Sequence, residues 1–279
     1  MKIPIAFFLS LIVFSTANLF AQNEFAKEFI FATKLYNEEN YYDAVTECKR
    51  LVFFDSDSQY VFKAYILMGK SYKMGGKFSD AILNFTNAEL NAKTSGEVFE
   101  SKIEIIRANI LRRTTDRALQ LLDDLDKNGN FSSRTDEINY WRGWTYIFAE
   151  RWKEAASSFS KIDSCEQLQQ LCMQVEKDKY SVTFANLISH FIPGAGQIYT
   201  GNYVSGFLSL GWNILAGYVT INSFAADRIF DGLVELNFFW LRFYNGNIQN
   251  AQKFALYENQ KISNKALNYL QFQYNGTKP

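Results

Sequence analysis

Asn40-Tyr41-Tyr42-Asp43-Ala44, Lys77-Phe78-Ser79-Asp80-Ala81, Thr115-Asp116-Arg117-Ala118 and Arg151-Trp152-Lys153-Glu154-Ala155 are four versions of one phrase. Their alanines stand at 44, 81, 118 and 155, so three successive intervals are each 37 residues. A fixed period of this size marks a repeat architecture in which each unit is one supersecondary element. Upstream of the alanine, apolar residues three and four apart describe a helix, as with Tyr65, Met68, Gly69 and Tyr72. A polar or glycine turn follows, such as Gly75-Gly76, and then a second helix carrying Ala81, Ile82 and Phe85 or Ala155, Ala156 and Phe159. The spacing predicts eight antiparallel helices in four stacked pairs over residues 25–163. Gly69, Ala81, Gly143 and Ala155 are expected to let paired helices approach closely, with Tyr41, Phe78 and Trp152 filling the wedge between pairs.

The pattern resembles the tetratricopeptide repeat family. The second unit matches through Gly69, Tyr72, Phe78, Ala81 and Phe85, and the fourth through Gly143, Tyr146, Trp152, Ala155 and Phe159. The first matches through Ala32, Tyr41 and Ala44; the third offers only Ile106, Ala118 and Leu122. The family's period is about 34, so each unit here is expected to carry a longer connection. The resemblance implies a curved solenoid whose concave face takes a protein or peptide partner. Tyr36, Tyr72, Arg107 and Tyr146 are the candidate lining residues, and packing in the core is the competing role for the tyrosines.

Composition fits an all-α reading. Only three prolines occur, two of them (Pro4 and Pro279) at the ends, and proline is the residue that most disrupts a helix interior. Lysine plus arginine and aspartate plus glutamate both number 29, and no basic run is present, which argues against nucleic acid as a partner. One histidine and three cysteines are too few for a typical zinc site. His190 has no nucleophile or carboxylate in its sequence surroundings. No catalytic, cofactor-binding or metal-binding residue is expected, and no small-molecule substrate is evident.

Residues 1–21 read as a signal peptide: Lys2 is the positive start, Ile3 to Phe14 is almost wholly apolar, and small residues precede cleavage after Ala21 or Ala17. An uncleaved anchor is the alternative; either way the repeats are expected outside the cytoplasm, at the bacterial cell envelope and facing the periplasm. The expected order is then repeats over 22–164, a linker over 165–183, a glycine-rich membrane domain over 184–250, and a helix and tail over 251–279.

The membrane domain announces itself by composition. Ile192-Pro193-Gly194-Ala195-Gly196-Gln197-Ile198-Tyr199-Thr200-Gly201 holds a proline–glycine turn and three glycines, and Tyr203 to Ala226 is 24 residues without a charge. That length spans a hydrocarbon core of about 30 Å. This run, with Pro193, Gly194, Gly196, Gln197, Tyr199 and Gly201 as its motif and Phe243 to Ala251 beyond, resembles a small bacterial domain of membrane hairpins found alone or behind tetratricopeptide repeats. It lacks the lysine of a phosphate loop. A second stretch, Ile229 to Tyr244, is broken by Asp231, Glu235 and Arg242 at offsets 0, 4 and 11, one helical face. Those charges form either a polar seam buried between helices, with a Glu235–Arg242 or an Asp231–Arg228 pair, or the wet face of a surface helix. Two spans would return the lysine-bearing tail to the repeats' side, against the usual charge bias, so a shallow or re-entrant insertion stays open.

Cys165 and Cys172 could bridge only if the chain breaks near Ser164 to Glu166, because one straight helix would hold them about 10 Å apart. The reading is therefore all-α: a tetratricopeptide-like helical solenoid followed by a helical membrane-hairpin domain, serving as a non-enzymatic scaffold that meets a protein or peptide partner and membrane lipid. The alternative is a membrane subunit of a transport, secretion or envelope-assembly complex.

Overall fold

The computed structural model describes residues 24–55 and 58–279; the signal-peptide reading of residues 1–21 lies outside them. The described residues are helical and contain no strand. They divide into two compact units, one ending at Gln169 and taking in Thr277–Pro279, the other running Gln170–Gly276.

The first unit begins with α1 (24–37). Then follow α2 (Tyr41–Phe54), α3 (Val61–Met74), α4 (Phe78–Leu90), α5 (Ser95–Leu111), α6 (Thr115–Lys127), α7 (Thr135–Phe148) and α8 (Trp152–Phe159). Successive helices from α2 onward pack on one another. Turns within a pair are three residues long, so the partners run antiparallel. The longer connections sit between pairs, in the stretches after α2, α4 and α6, the last shaped as a 3₁₀ turn (Gly129–Arg134).

The turn inside each pair is one device used four times. Glu39, Gly76, Arg113 and Glu150 have positive φ (61°, 71°, 65° and 60°) and recur every 37 residues. The residue after each caps the next helix with nearly the same angles, from −84°, 66° at Asn40 to −96°, 68° at Arg151. Each cap N–H reaches the carbonyl five residues back, as Lys77 to Tyr72 at 2.9 Å and Arg151 to Tyr146 at 2.9 Å. This left-handed closure satisfies carbonyls that a helix end leaves orphaned. Four residues past each cap comes an alanine, and Ala44, Ala81, Ala118 and Ala155 are all fully buried.

The glycines of the repeats hold rings. A Cβ on Gly69 would lie 2.4 Å from the Phe85 ring, and one on Gly143 would lie 2.5 Å from the Phe159 ring. The close approach expected at these positions is thus helix backbone against an aromatic face, in the second and fourth pairs alike. Phe85 and Phe159 are completely buried, and each contributes about 1.5–3 kcal/mol relative to exposure. The core is a chain of clusters. Ala32, Cys48, Leu51 and Met68 join α1, α2 and α3; Ile66, Ala81, Phe85 and Ile105 join α3, α4 and α5.

The expected linker is mostly helix, α9 (Glu166–Asp178), and the division between units falls inside it. Cys165 and Cys172 are both buried free thiols, which corrects the candidate disulfide. The 3₁₀ turn Asp163–Cys165 passes directly into α9 with Glu166 already at φ −55°, ψ −40°. The break that a bridge requires is missing, and seven residues of continuous helical rise separate the two by about 10 Å.

The second unit continues with α10 (Val182–Phe191), α11 (Ala195–Tyr199), α12 (Tyr203–Ala225), α13 (Ile229–Glu235) and α14 (Leu241–Phe272). A π turn, Leu236–Trp240, joins α13 to α14 without interruption, so the helix runs straight through residue 250, where a boundary was expected. The pair turn reappears here. Gly201 (φ 80°) and Asp227 (φ 57°) precede caps at −89°, 62° and −89°, 66°. Gly206 and Gly232 take the place of the alanine.

Helix α12 is turned inside out relative to α2–α8. Its buried residues are Gly206, Asn213, Ala216, Gly217, Thr220 and Ser223, while Val204, Phe207, Leu208, Ile214, Tyr218 and Ile221 are exposed. It is the one helix among the described residues that is long and apolar enough to cross a membrane.

Candidate functional sites

The first site lies on the face made by α3, α5 and α7. Lys73 Nζ on α3 is 2.7 Å from Glu104 Oε2 on α5, and both side chains are buried. Glu104 also pairs with Arg107 one turn along. Burial alone would raise the Glu104 carboxyl, but Lys73 and Arg107 overcome it and hold the group below the ordinary carboxylate value. Arg107 is fixed from a second side by the Trp141 ring of α7, 4.8 Å from its Cζ. A cavity of about 530 Å³ opens here, with Phe99, Glu104, Arg107, Arg134 and Trp141 among its lining residues.

Thr277 lines the same cavity. Arg107 Nη2 donates to the Lys278 carbonyl at 2.9 Å, and Tyr140 Oη donates to the Thr277 carbonyl. The segment Thr277–Pro279, which belongs to this unit, is therefore gripped by its main chain. Two buried donors on this face, Trp141 Nε1 and Arg107 Nε, have no acceptor.

Of the four candidate lining residues, Arg107 is at the centre. Tyr36 is half-buried on the first core cluster, and its hydroxyl is pushed up by burial and by Tyr41 and Glu104, which places it within electrostatic range of Glu104. Tyr72 is half-buried between the two clusters. Tyr146 stacks under Arg151, 4.6 Å from ring to Cζ, near the turn into α8. The sequence reading missed Lys73, Glu104, Tyr140 and Trp141. Lys73 and Glu104 sit at apolar-facing helical positions, a signal that was available; Thr277 and Lys278 carried none.

The second site is the glycine motif. Asn247 on α14 is its hub: its Oδ1 accepts from Gly194 N (2.7 Å), Gln197 Nε2 (3.0 Å) and Ser209 Oγ (3.0 Å). Its Nδ2 donates to the Ser189 carbonyl at 3.0 Å. Gly194 has φ +92°, and a Cβ there would stand 2.1 Å from the Gly206 carbonyl oxygen. A Cβ on Gly196 would meet Ser189 Oγ at 2.3 Å. The motif is thus where α10, α11, α12 and α14 converge, and side chains at these glycines would push them apart. Tyr199 rests edge-on against Tyr180 and Phe184 and accepts from Ser181 N. Pro193 precedes the turn at Gly194, and Gly201 makes the turn into α12. Asn247 falls within the Phe243 to Ala251 stretch, but it was not singled out from the sequence.

The three charges of the second stretch are not brought together. Asp231 pairs with Arg228 at 3.6 Å. Glu235 lines a cavity of about 200 Å³ with Trp212, Ala216 and Phe239, and its buried Oε2 has no partner. Arg242 lines a different cavity. The π turn between Glu235 and Arg242 inserts extra winding and shifts everything beyond it to another face; an offset count on an ideal helix cannot anticipate this.

Burial pushes the Cys48 and Cys172 thiols up to about 12, which makes them poor nucleophiles. His190 is exposed and its Nδ1 lies 2.9 Å from the Asn186 carbonyl. Among the described residues no group of three or more histidine, cysteine or acidic side chains could hold a metal. No protein-family model, curated protein or solved structure matches the chain.

Proposed function

We propose that the chain is a non-enzymatic scaffold of the bacterial cell envelope. Its first unit is a tetratricopeptide-like solenoid that binds an extended peptide segment of a protein partner, and its second unit holds that activity at a membrane. The observation carrying the first half is the grip of Arg107 and Tyr140 on the carbonyls of Thr277 and Lys278. A face that binds main-chain carbonyls, with further donors still without acceptors, has the chemistry to take a peptide largely independently of its side chains. The inside-out burial of α12 supports the second half, since small and polar groups inside with apolar groups outside is the arrangement lipid favours.

The test uses a variant ending at Gly276 and a labelled synthetic peptide of residues 271–279. The shortened chain should bind the peptide, the intact chain should bind it more weakly because its own segment competes, and Arg107→Ala should abolish binding. No binding to the shortened chain, or binding indifferent to Arg107, overturns the peptide reading. Carbonate extraction of cell membranes checks the other half: release into the soluble fraction would remove it. A second reading, a membrane subunit of a transport, secretion or assembly complex, is favoured by the unpartnered Glu235 carboxylate at the π turn; crosslinks from α12 and α13 to other membrane proteins would support it.

A further inference from the structure

Thr277, Lys278 and Pro279 have no regular secondary structure, and burial returns along them: Thr277 is exposed, while Lys278 and Pro279 are half-buried. Arg107 of α5 donates to the Lys278 carbonyl and Tyr140 of α7 to the Thr277 carbonyl. The segment therefore crosses the junction of α5 and α7, held through two successive acceptors. Those acceptors are not equivalent. The Lys278 carbonyl belongs to the Lys278–Pro279 bond, a tertiary amide. Its electron-rich oxygen is the stronger acceptor, and it is the one that the guanidinium takes, at 2.9 Å. Proline brings two further properties. It confines the residue before it to extended backbone, so Lys278 arrives with little ordering left to do. It also has no N–H, so a face that supplies donors strands no donor on a proline of the ligand.

The face is aromatic as well as donating. Tyr140 is half-buried and stands edge-on to Trp141, with ring centroids 5.1 Å apart. Arg107 lies over the Trp141 ring, 4.8 Å from its centroid. A tyrosine hydroxyl and a guanidinium among aromatic rings suit a polyproline II segment, which presents solvated carbonyls and apolar rings on a preformed helix. The cavity of about 530 Å³ remains beside Thr277 with the tail in place, so the face has room for more ligand than these three residues fill.

We infer that the partner segment read by the first unit is extended and proline-bearing. Arg107 takes the carbonyl of an Xaa-Pro bond, Tyr140 takes the carbonyl one residue earlier, and Thr277–Pro279 is the intramolecular counterpart of that ligand. The inference rests on the peptide half of the proposed function and names the class of peptide; it is independent of the membrane half.

The experiment measures fluorescence anisotropy of labelled peptides of residues 271–279, made as carboxamides so that no terminal charge contributes, on the chain ending at Gly276. The wild-type peptide should bind, and its Pro279→Ala version should bind about fivefold more weakly. Tyr140→Phe in the protein should weaken both peptides by the same factor and keep the preference, because its hydroxyl takes the other carbonyl. A second measurement avoids the shortened chain: Pro279→Ala in the intact protein should loosen the tail and raise affinity for the wild-type peptide. Equal binding of the proline and alanine peptides overturns the inference and leaves the peptide reading standing; binding of neither removes both. A preference lost in Tyr140→Phe, or an intact Pro279→Ala chain no more open to the peptide than the wild type, also overturns the inference.

Discussion

Helices α4 and α12 start from the same turn and carry a small residue four positions past the cap, yet they bury opposite kinds of side chain. In α4 the small Ala81 and the large Phe85 both go inward. In α12 Gly206, Asn213 and Thr220 go inward and Phe207, Leu208 and Ile221 face out. Backbone chemistry is therefore shared between the units, and the difference lies in which side chains face outward. Where water surrounds a unit, burial of apolar area holds it together. Where the outer face is itself apolar, cohesion must come from close backbone approach and internal hydrogen bonds, and the Asn247 hub with its neighbouring glycines supplies both.

The largest expected effect tests that contrast directly. Phe85→Ala should destabilise the first unit by about 3–5 kcal/mol, because the ring fills the notch over Gly69 and nothing replaces it. Phe207→Ala, at a position 64% exposed, should change the stability of detergent-solubilised protein by no more than about 0.5 kcal/mol. Guanidinium unfolding followed by circular dichroism measures both, and comparable losses would erase the distinction between the two interiors.

The next effect separates their polar chemistry. Glu104→Gln leaves Lys73 buried without its carboxylate and should cost about 3 kcal/mol at neutral pH. Because the Glu104 carboxyl is depressed on folding, its stabilisation is complete above its ordinary value of 4.5 and is lost as pH falls through the depressed value. The wild type should therefore weaken in acid more steeply than Glu104→Gln; parallel pH profiles would show that the pair does not govern the acid limb. In the second unit the hub is uncharged. Asn247→Ala should cost about 1–3 kcal/mol by stranding the Gly194 N–H and the Ser189 carbonyl, with no change in acid sensitivity.

What the sequence disclosed follows from the same contrast. The repeat was legible because identical packing demands leave identical residues: alanine where helices touch, glycine under a ring. The phenylalanine–glycine pairing itself was not, since period alone does not say which partner a glycine faces. Helix α12 was visible through its lack of charge, and its small residues marked part of its inward face: Gly206, Ala216 and Gly217 are buried, while Gly211 is exposed. Arg107 was named as a candidate, whereas Lys73 and Glu104 were passed over although their helical positions face apolar neighbours; that the two pair with each other, 31 positions apart, could not be read from the sequence. The π turn has no residue signature, and it carries the chain beyond Glu235 round to another face.

The smallest expected effect asks whether the turn is truly common to both units. Gly76 and Gly201 occupy the left-handed position, at φ 71° and 80°, and a Cβ on either would meet nothing within 4 Å. Substitution by alanine therefore probes backbone conformation alone. The left-handed conformation costs an ordinary residue about 1–2 kcal/mol, offset by the smaller entropy loss of alanine on folding, about 0.5–1 kcal/mol. Gly76→Ala and Gly201→Ala should each destabilise by about 0.5–1 kcal/mol and by the same amount within error, although one turn lies in the repeat unit and the other leads into the apolar helix. In the reverse direction Glu39→Gly should stabilise by a similar margin, and Asp227→Gly by less, because aspartate tolerates this region better than glutamate. Thermal unfolding of the four variants decides it. A large loss at Gly201 with a small one at Gly76 would mean that the turn into α12 is held by packing rather than by the carbonyl-closing geometry, and the equivalence of the two units' turns would fall.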